Sequence, residues 1–326
     1  MIRTTGLRKS FHSGRGRKRT TIDAVRGVDL AVKPGEIFGF LGPNGAGKTT
    51  TLRILATLLR PDSGDAVIAG ADLRRSPGQV RKQIGFVAQG SGTNDQSTGR
   101  RELVLQARMY GVPKSAAIRL ADGVITAFQL EEFVDRKISA YSGGQRRRLD
   151  VALGVIHRPR VLFLDEPTAG LDPPSRARVW REVRRLRGDG MTVFLTTHYL
   201  DEADALCDRI SIIDGGLIVA EGTPSELKRE ISGDVVIVDL AAPDTAGAPE
   251  PATILDAAKI LADQQCVESC ETIGQTLRLY VDSGATAIPQ IMRALSGKEI
   301  EPGAVETRRP SLDDVFLAKT GRTIGD

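Results

Sequence analysis

Ile37-Phe38-Gly39-Phe40-Leu41-Gly42-Pro43-Asn44-Gly45-Ala46-Gly47-Lys48-Thr49-Thr50 is the stretch that decides the fold. Ile37 to Leu41 is a short apolar run, and Gly42 to Thr49 matches G-x-x-x-x-G-K-[ST] in full. A helical pattern runs from Thr49 to Leu59 and is expected to stop at Pro61. Strand, glycine-rich loop and helix in that order are the setting a phosphate-binding loop requires. The glycines let the backbone wrap closely, so that amide N–H groups point at phosphate oxygens, and the helix presents its positive end to the same anion. The expected phosphate-binding set is Gly42, Pro43, Asn44, Gly45, Ala46, Gly47, Lys48, Thr49 and Thr50. Lys48 is expected to reach the β- and γ-phosphates as a compact cation, and the Thr49 hydroxyl to hold Mg²⁺.

Outward from this loop, Val161 to Leu164 is a continuous apolar run, as a strand buried on both faces should be. Asp165 ends it. A carboxylate there faces the ligand crevice of a parallel sheet and can hold Mg²⁺ through water. Glu166 follows at once and is the expected group to polarise an attacking water. Thr192 to Leu195 and Ile210 to Ile213 read as further buried strands, Ala66 to Ala69 and Ile84 to Ala88 as others. Helices are expected over Ser175 to Arg187 and Gly143 to His157, and the pattern from Thr98 to Ser139 is helical with a turn at Gly111-Val112-Pro113. Strands alternating with helices predict a mainly parallel α/β sheet, into which a helical stretch of about 90–159 is inserted.

The flanks differ. Leu7 to Phe11 and the alternating Val28 to Val32 read as strands, separated by a basic, glycine-rich stretch from Ser13 to Arg19 that reads as a solvated hairpin loop. Composition shifts after Gly233. Val235 to Leu240 reads as a strand, Ala241 to Pro251 as a loop, Ile254 to Gln264 as a helix, Thr276 to Val281 as a strand and Ile288 to Leu295 as a helix. This predicts a small C-terminal α/β domain over 233–326, behind a first domain of 1–232.

The 326 residues carry 45 Lys and Arg against 41 Asp and Glu, a net charge of +4 that suits nucleotides or lipid head groups as well as nucleic acid. No apolar run approaches the ~20 residues of a membrane-spanning helix. The first residues lack the apolar stretch of a secretory signal. The chain therefore reads as cytosolic, docking onto a separate spanning protein if it works at a membrane. Cys207, Cys266 and Cys270 have no metal-like spacing and read as reduced thiols, with Cys266 and Cys270 expected on one helix face.

Taken together, these residues resemble the ABC ATPase family over roughly residues 1 to 230. Tyr141-Ser142-Gly143-Gly144-Gln145 is similar to the family signature, Asp165-Glu166 to its Walker B pair, and Ala169-Gly170-Leu171-Asp172 to its D-loop. Gln89 resembles the Q-loop glutamine, His198 the switch histidine, and Phe11 the aromatic that stacks on adenine. Tyr141 stands where leucine is commonest, and Ala169 where serine is frequent. The resemblance implies a P-loop NTPase fold, with a RecA-like mainly parallel sheet, the inserted helical subdomain, an N-terminal antiparallel β subdomain and the small C-terminal domain. It implies ATP and Mg²⁺ as cofactors, with Gln89 on the metal and attacking water and His198 on the γ-phosphate. It also implies a head-to-tail dimer, homo- or heteromeric, in which Ser142, Gly143, Gly144 and Gln145 cap the partner's ATP and Asp172 lies at the interface.

The stretch Tyr141 to Pro173, with Thr98 to Leu103, Ala107 to Gly111 and Pro310 to Leu317, is similar to the daunorubicin/doxorubicin-resistance type of exporter ATPase. Such a subunit is a peripheral protein of the cytoplasmic membrane face, working with a separate transmembrane permease and not with nucleic acid. Two other readings compete: a soluble ABC ATPase acting on ribosome or nucleic acid, and a nucleotide-binding regulatory module. Soluble ABC proteins usually carry two cassettes or long coiled-coil insertions, whereas this chain has one phosphate loop and no sustained heptads. Glu166 argues against a purely regulatory module.

Overall fold

The protein is described by a computed structural model over residues 1–13, 20–90, 92–231, 233–240, 251–298 and 300–321. The sequence expectation for the basic stretch falls mainly on 14–19, and that for the C-terminal loop on 241–250, both outside the described residues. Two compact units divide the chain, Met1–Pro224 and Ser225–Thr323.

The first unit opens with β1 (Ile2–Ser13) and β2 (Thr20–Val32), an antiparallel pair longer than the expected strands at both places. Val28, Leu30 and Val32 of β2 point inward between exposed neighbours, so one face of the ribbon joins the core. β3 (Ile37–Leu41) leads through the glycine loop into α1 (Lys48–Leu55). The helix ends well before Pro61 because Thr57 takes φ 62, a left-handed conformation no helix can continue through. β4 (Ser63–Ile68) and β5 (Ala71–Asp72) complete an antiparallel sheet of order β2-β1-β4-β5. α2 (Pro77–Gln83) then enters β6 (Ile84–Val87).

Between β6 and its parallel neighbour β7 (Val161–Asp165) lie α3 (Gly99–Met109), α4 (Lys114–Ala127), a 3-10 turn at Ile138–Ala140 and α5 (Gly143–Val155). α5 packs directly on the sheet: a Cβ at Gly85 of β6 would come within 2.0 Å of the Gly154 carbonyl. The chain continues through α6 (Pro173–Gly188), β8 (Thr192–Thr197), α7 (Leu200–Leu206), β9 (Arg209–Asp214) and β10 (Leu217–Gly222). The central sheet has the order β10-β9-β3-β8-β7-β6, parallel except for the β10 edge.

The apolar runs end up where their composition sends them. Every residue of β3, β7 and β8 is buried. Phe194 lies 5.6 to 5.8 Å, centroid to centroid, from Phe38, Phe40 and Phe163, so three adjacent strands share one aromatic cluster. Each such ring contributes about 1.5–3 kcal/mol by leaving water. Among the described residues no helix is long and apolar enough to cross a membrane.

The second unit holds α8 (Pro224–Glu230), β11 (Asp234–Asp239), α9 (Pro251–Ala262), β12 (Val267–Ile273), β13 (Thr276–Val281), α10 (Gly284–Ser296), β14 (Ala304–Arg308) and α11 (Leu312–Thr320). Its strands form an antiparallel sheet of order β12-β13-β11-β14, a β-α-β-β-α-β arrangement. α9 and α10 bury Leu261, Ile291 and Leu295 against Val236, Leu277 and Leu279. The expected shared helix face of Cys266 and Cys270 does not exist. α9 stops at Ala262, Cys266 lies in the following turn, and Cys270 lies in β12.

The segment Pro310 to Leu317 is anchored by a capped helix and a buried carboxylate. Ser311 caps α11 through a reciprocal box with Asp314, and the fully buried Asp314 carboxylate takes two hydrogen bonds from the Arg308 guanidinium, at 2.7 and 2.9 Å. Burial pushes the Asp314 carboxyl up, but Arg308 and Ser311 outweigh it and hold it below its ordinary value. A depressed folded value means this stability is present above the unfolded pKa, about 3.9, and lost as pH falls through the lower folded one. Asp314→Ala removes the acceptor of the partly exposed Arg308 and the α11 cap partner of Ser311, and is expected to destabilise this unit by about 1.5–3 kcal/mol. Urea titration at pH 7 checks it, and an unchanged midpoint would show that other contacts hold α11.

Candidate active site

Sheet order explains which residues meet. β3, β8, β7 and β6 are consecutive and parallel, so their C-terminal ends form one rim. The phosphate loop follows β3, His198 follows β8, Asp165 ends β7 with Glu166 next after it, and Gln89 lies just past β6. Ligands of open α/β sheets bind on this rim.

The loop is held tightly. Gly42 N donates to Thr197 O at 3.4 Å, and Ala46 O accepts from Gly216 N at 3.1 Å. Gly47 caps α1 at φ 103, and a Cβ there would meet the Ala24 carbonyl at 2.2 Å, so only glycine fits. Lys48 is buried. Its ammonium donates to the Gly42 and Pro43 carbonyls at 2.6 and 3.0 Å and lies 3.8 Å from Glu166 Oε1. Burial draws its pKa below the ordinary lysine value, opposed by the Glu166 and Asp165 carboxylates.

Thr49 Oγ1 donates to Asp165 Oδ1 at 3.1 Å. A hydroxyl and a carboxylate oxygen at this spacing are hard donors of the kind Mg²⁺ takes, together with phosphate oxygens and water. Among the described residues no cluster of three or more His, Cys, Asp or Glu could hold a metal, so phosphate oxygens would have to complete such a site. Glu166 sits at the centre of the remaining groups. Its Oε2 accepts from Gln89 Nε2 at 2.9 Å, and its Oε1 lies 3.1 Å from His198 Nδ1, without hydrogen-bond alignment. Its backbone is strained, with φ 46.

Among the described residues, the other sequence-derived residues make no hydrogen bond to this group. Ser142 caps α5 through a box with Gln145, and its side chains bond locally. Gly144 is required at its position, because a Cβ would come within 2.5 Å of Ser175 Oγ on α6. Asp172 caps α6 by accepting from Ser175 N at 3.1 Å, so the signature and D-loop segments adjoin. Phe11 is 42% exposed on β1, outside the core, with the Lys9 ammonium 5.7 Å from its ring centroid.

Two contributors carried no motif. Thr196 Oγ1 donates to Asp165 Oδ1 at 2.7 Å and accepts from Glu166 N at 3.1 Å. Arg147 is buried and donates to the backbone on either side of Glu166. A separate cavity of about 730 Å³, lined by Leu120, Phe128, Ile156 and Leu186, opens near the N-terminal starts of β7 and β8 and contains none of these residues.

A phosphate loop at a parallel-sheet rim, facing paired carboxylates at the end of β7, one strand removed across β8, defines a nucleoside-triphosphatase of the P-loop class. The ABC transporter family matches residues 25–169, and the C-terminal domain of DrrA1-3-like ATP-binding proteins matches residues 222–320. The chain is 43% identical to the daunorubicin resistance ATP-binding protein DrrA3 of Streptomyces coeruleorubidus, over 91% of each chain. It is 42% identical to the daunorubicin/doxorubicin resistance ATP-binding protein DrrA of Streptomyces peucetius, over 100% of this chain and 94% of that one. Identity to the Nod factor export ATP-binding protein I of Ralstonia nicotianae is 36%, over 100% and 95%. Among solved structures, a dimeric bacterial ABC transporter cassette aligns at 26% identity and TM-score 0.62, over 68% of this chain and 98% of that one. The chain belongs to the ABC transporter family: it is an ATP-binding subunit and an ATPase.

Proposed function

We propose that this subunit drives export of a drug-like or other hydrophobic compound through a separate transmembrane permease, as a peripheral protein of the cytoplasmic membrane face. The observation that carries this reading is the full-length similarity to drug-resistance and Nod-factor export ATP-binding proteins, C-terminal domain included. The domains are proposed as 1–232, with helices inserted over about 90–159, and 233–326, a boundary on the far side of α8 from the division between the compact units after Pro224.

In this reading Gly42 to Thr50 wrap the phosphates with backbone N–H groups. Lys48 gives up its carbonyl partners for β- and γ-phosphate oxygens. Thr49, Gln89 and Asp165 would hold Mg²⁺, Asp165 through water, and the ion would supply charge neutralisation on the phosphates. Glu166 accepts a proton from the attacking water, Gln89 helps place that water, and His198 donates to the γ-phosphate. Phe11 stacks on adenine. Two copies pack head to tail, homo- or heteromeric, so that Ser142, Gly143, Gly144 and Gln145 of one cap the ATP of the other, with Asp172 between them. ATP then closes the dimer and hydrolysis opens it, a switch driven by contacts with the γ-phosphate.

The test is reconstitution with the permease in vesicles. ATP turnover and ATP-dependent movement of a fluorescent anthracycline are expected together, and Glu166→Gln removes both. Turnover that no hydrophobic compound stimulates, with none of them moved, would sink the export assignment. Absence of turnover with and without the permease would sink the proposed hydrolytic site.

A further inference from the structure

Arg147 stands between two arginines of the same helix and differs from both. It is 6% exposed, and its guanidinium meets no carboxylate at hydrogen-bond distance among the described residues. It donates instead to three main-chain carbonyls: Nε to Pro167 O at 2.7 Å, Nη1 to Ala88 O at 2.6 Å and Nη2 to Asp165 O at 3.1 Å. Desolvating a guanidinium is costly, and the three carbonyls it holds offset that cost together with the charges of Asp150, Glu202 and Asp165 around it.

Two of the three acceptors flank Glu166. Its left-handed backbone, φ 46, is one that a residue with a Cβ adopts only when its surroundings impose it. Arg147 binds the carbonyls before and after it, while the Glu166 N–H is bound by Thr196. The third acceptor, Ala88 O, belongs to the residue before Gln89, whose amide donates to the Glu166 carboxylate. A rigid planar fork can set these three carbonyls at fixed spacing, whereas a lysine ammonium on a flexible stem cannot.

We infer that Arg147 is a positioning residue for hydrolysis, holding Glu166 and Gln89 in mutual register through their backbones without touching nucleotide. The inference rests on Glu166 as the hydrolytic carboxylate. Misplacing such a group by about 1 Å costs on the order of a hundredfold in rate. Arg147 makes no bond to the phosphate loop among its hydrogen bonds, so binding is left largely alone.

The experiment measures kcat and KM for ATP on the subunit with its permease, comparing wild type, Arg147→Lys and Arg147→Gln, each first shown to be folded by its urea midpoint. Both variants are expected to lower kcat by about ten- to a hundredfold, with KM changed by less than about threefold. Gln89→Ala is then combined with Arg147→Lys. Because Arg147 acts partly through Gln89, the double variant is expected to lose less than the product of the two single losses. Wild-type kcat in both variants, a loss confined to KM, or fully multiplicative losses would each overturn the inference. If one variant does not fold, the other carries the comparison. A wild-type enzyme without turnover would instead count against Glu166 as the hydrolytic group.

Discussion

Glu166→Gln is expected to bind ATP, stall hydrolysis and accumulate as a dimer. The carboxylate is central to the rim: Gln89, His198 and Lys48 all approach its two oxygens. Glutamine keeps the shape and the acceptor carbonyl but accepts no proton from water. Loss of a general base costs about 10²- to 10⁴-fold in kcat. ATP affinity should hold, because the Gly42 to Thr49 wrap is untouched, and removing one negative charge near the phosphates favours the anion. Closure by ATP without release by hydrolysis then leaves the closed dimer populated. Size-exclusion chromatography at saturating ATP and Mg²⁺ reads this directly. A variant that elutes as a monomer there contradicts the head-to-tail arrangement. A variant that turns over ATP at the wild-type rate contradicts Glu166 as the base.

The central sheet was legible because its strands are buried on both faces. Ile37 to Leu41, Val161 to Leu164 and Thr192 to Leu195 are short apolar runs with no competing helical period, and all their residues are buried in the sheet. β1 and β2 extend further than their apolar residues suggest. Arg3, Thr5, Arg8, Thr21 and Asp23 sit on them as outward or ladder residues, and their pairing is set by a partner strand rather than by local pattern. β12 and β14 were unreadable for a related reason. They are the edges of the C-terminal sheet, mostly exposed, and Val-Glu-Ser-Cys-Glu-Thr-Ile or Ala-Val-Glu-Thr-Arg offers little apolar face to detect.

The site divides in the same way. Residues of fixed type at fixed spacing, from Gly42 to Thr49 and at Asp165-Glu166, could be picked out one by one. Their supports could not. Arg146, Arg147 and Arg148 form one basic run, yet Arg146 lies against Asp95, Arg148 against Gln129 and the Phe133 ring, and only Arg147 turns into the rim. What separates them is which side of α5 faces β6 and β7, a tertiary fact. Thr196 is equally silent in sequence, because its role comes from β8 lying between β3 and β7.

Lys48→Ala acts on the opposite step, and its effect should fall on binding before chemistry. The ammonium is buried, and its bonds to the Gly42 and Pro43 carbonyls keep it at the loop's inner face. A hydrogen bond to a charged group contributes about 1.5–3 kcal/mol, and 2.7 kcal/mol is about a hundredfold in Kd. Kd for a fluorescent ATP analogue is therefore expected to rise about a hundredfold, with kcat also reduced because Glu166 loses the cation 3.8 Å away. A rise of less than about threefold would remove Lys48 from phosphate binding. Combining Lys48→Ala with Glu166→Gln separates the two steps. At ATP concentrations that dimerise the single Glu166→Gln variant, the double variant should stay monomeric, because the nucleotide that joins the two copies is no longer held. Raising ATP about a hundredfold should restore the dimer. Restoration would identify the defect as one of occupancy, whereas a monomer at every concentration would mean that Lys48 also shapes the interface itself.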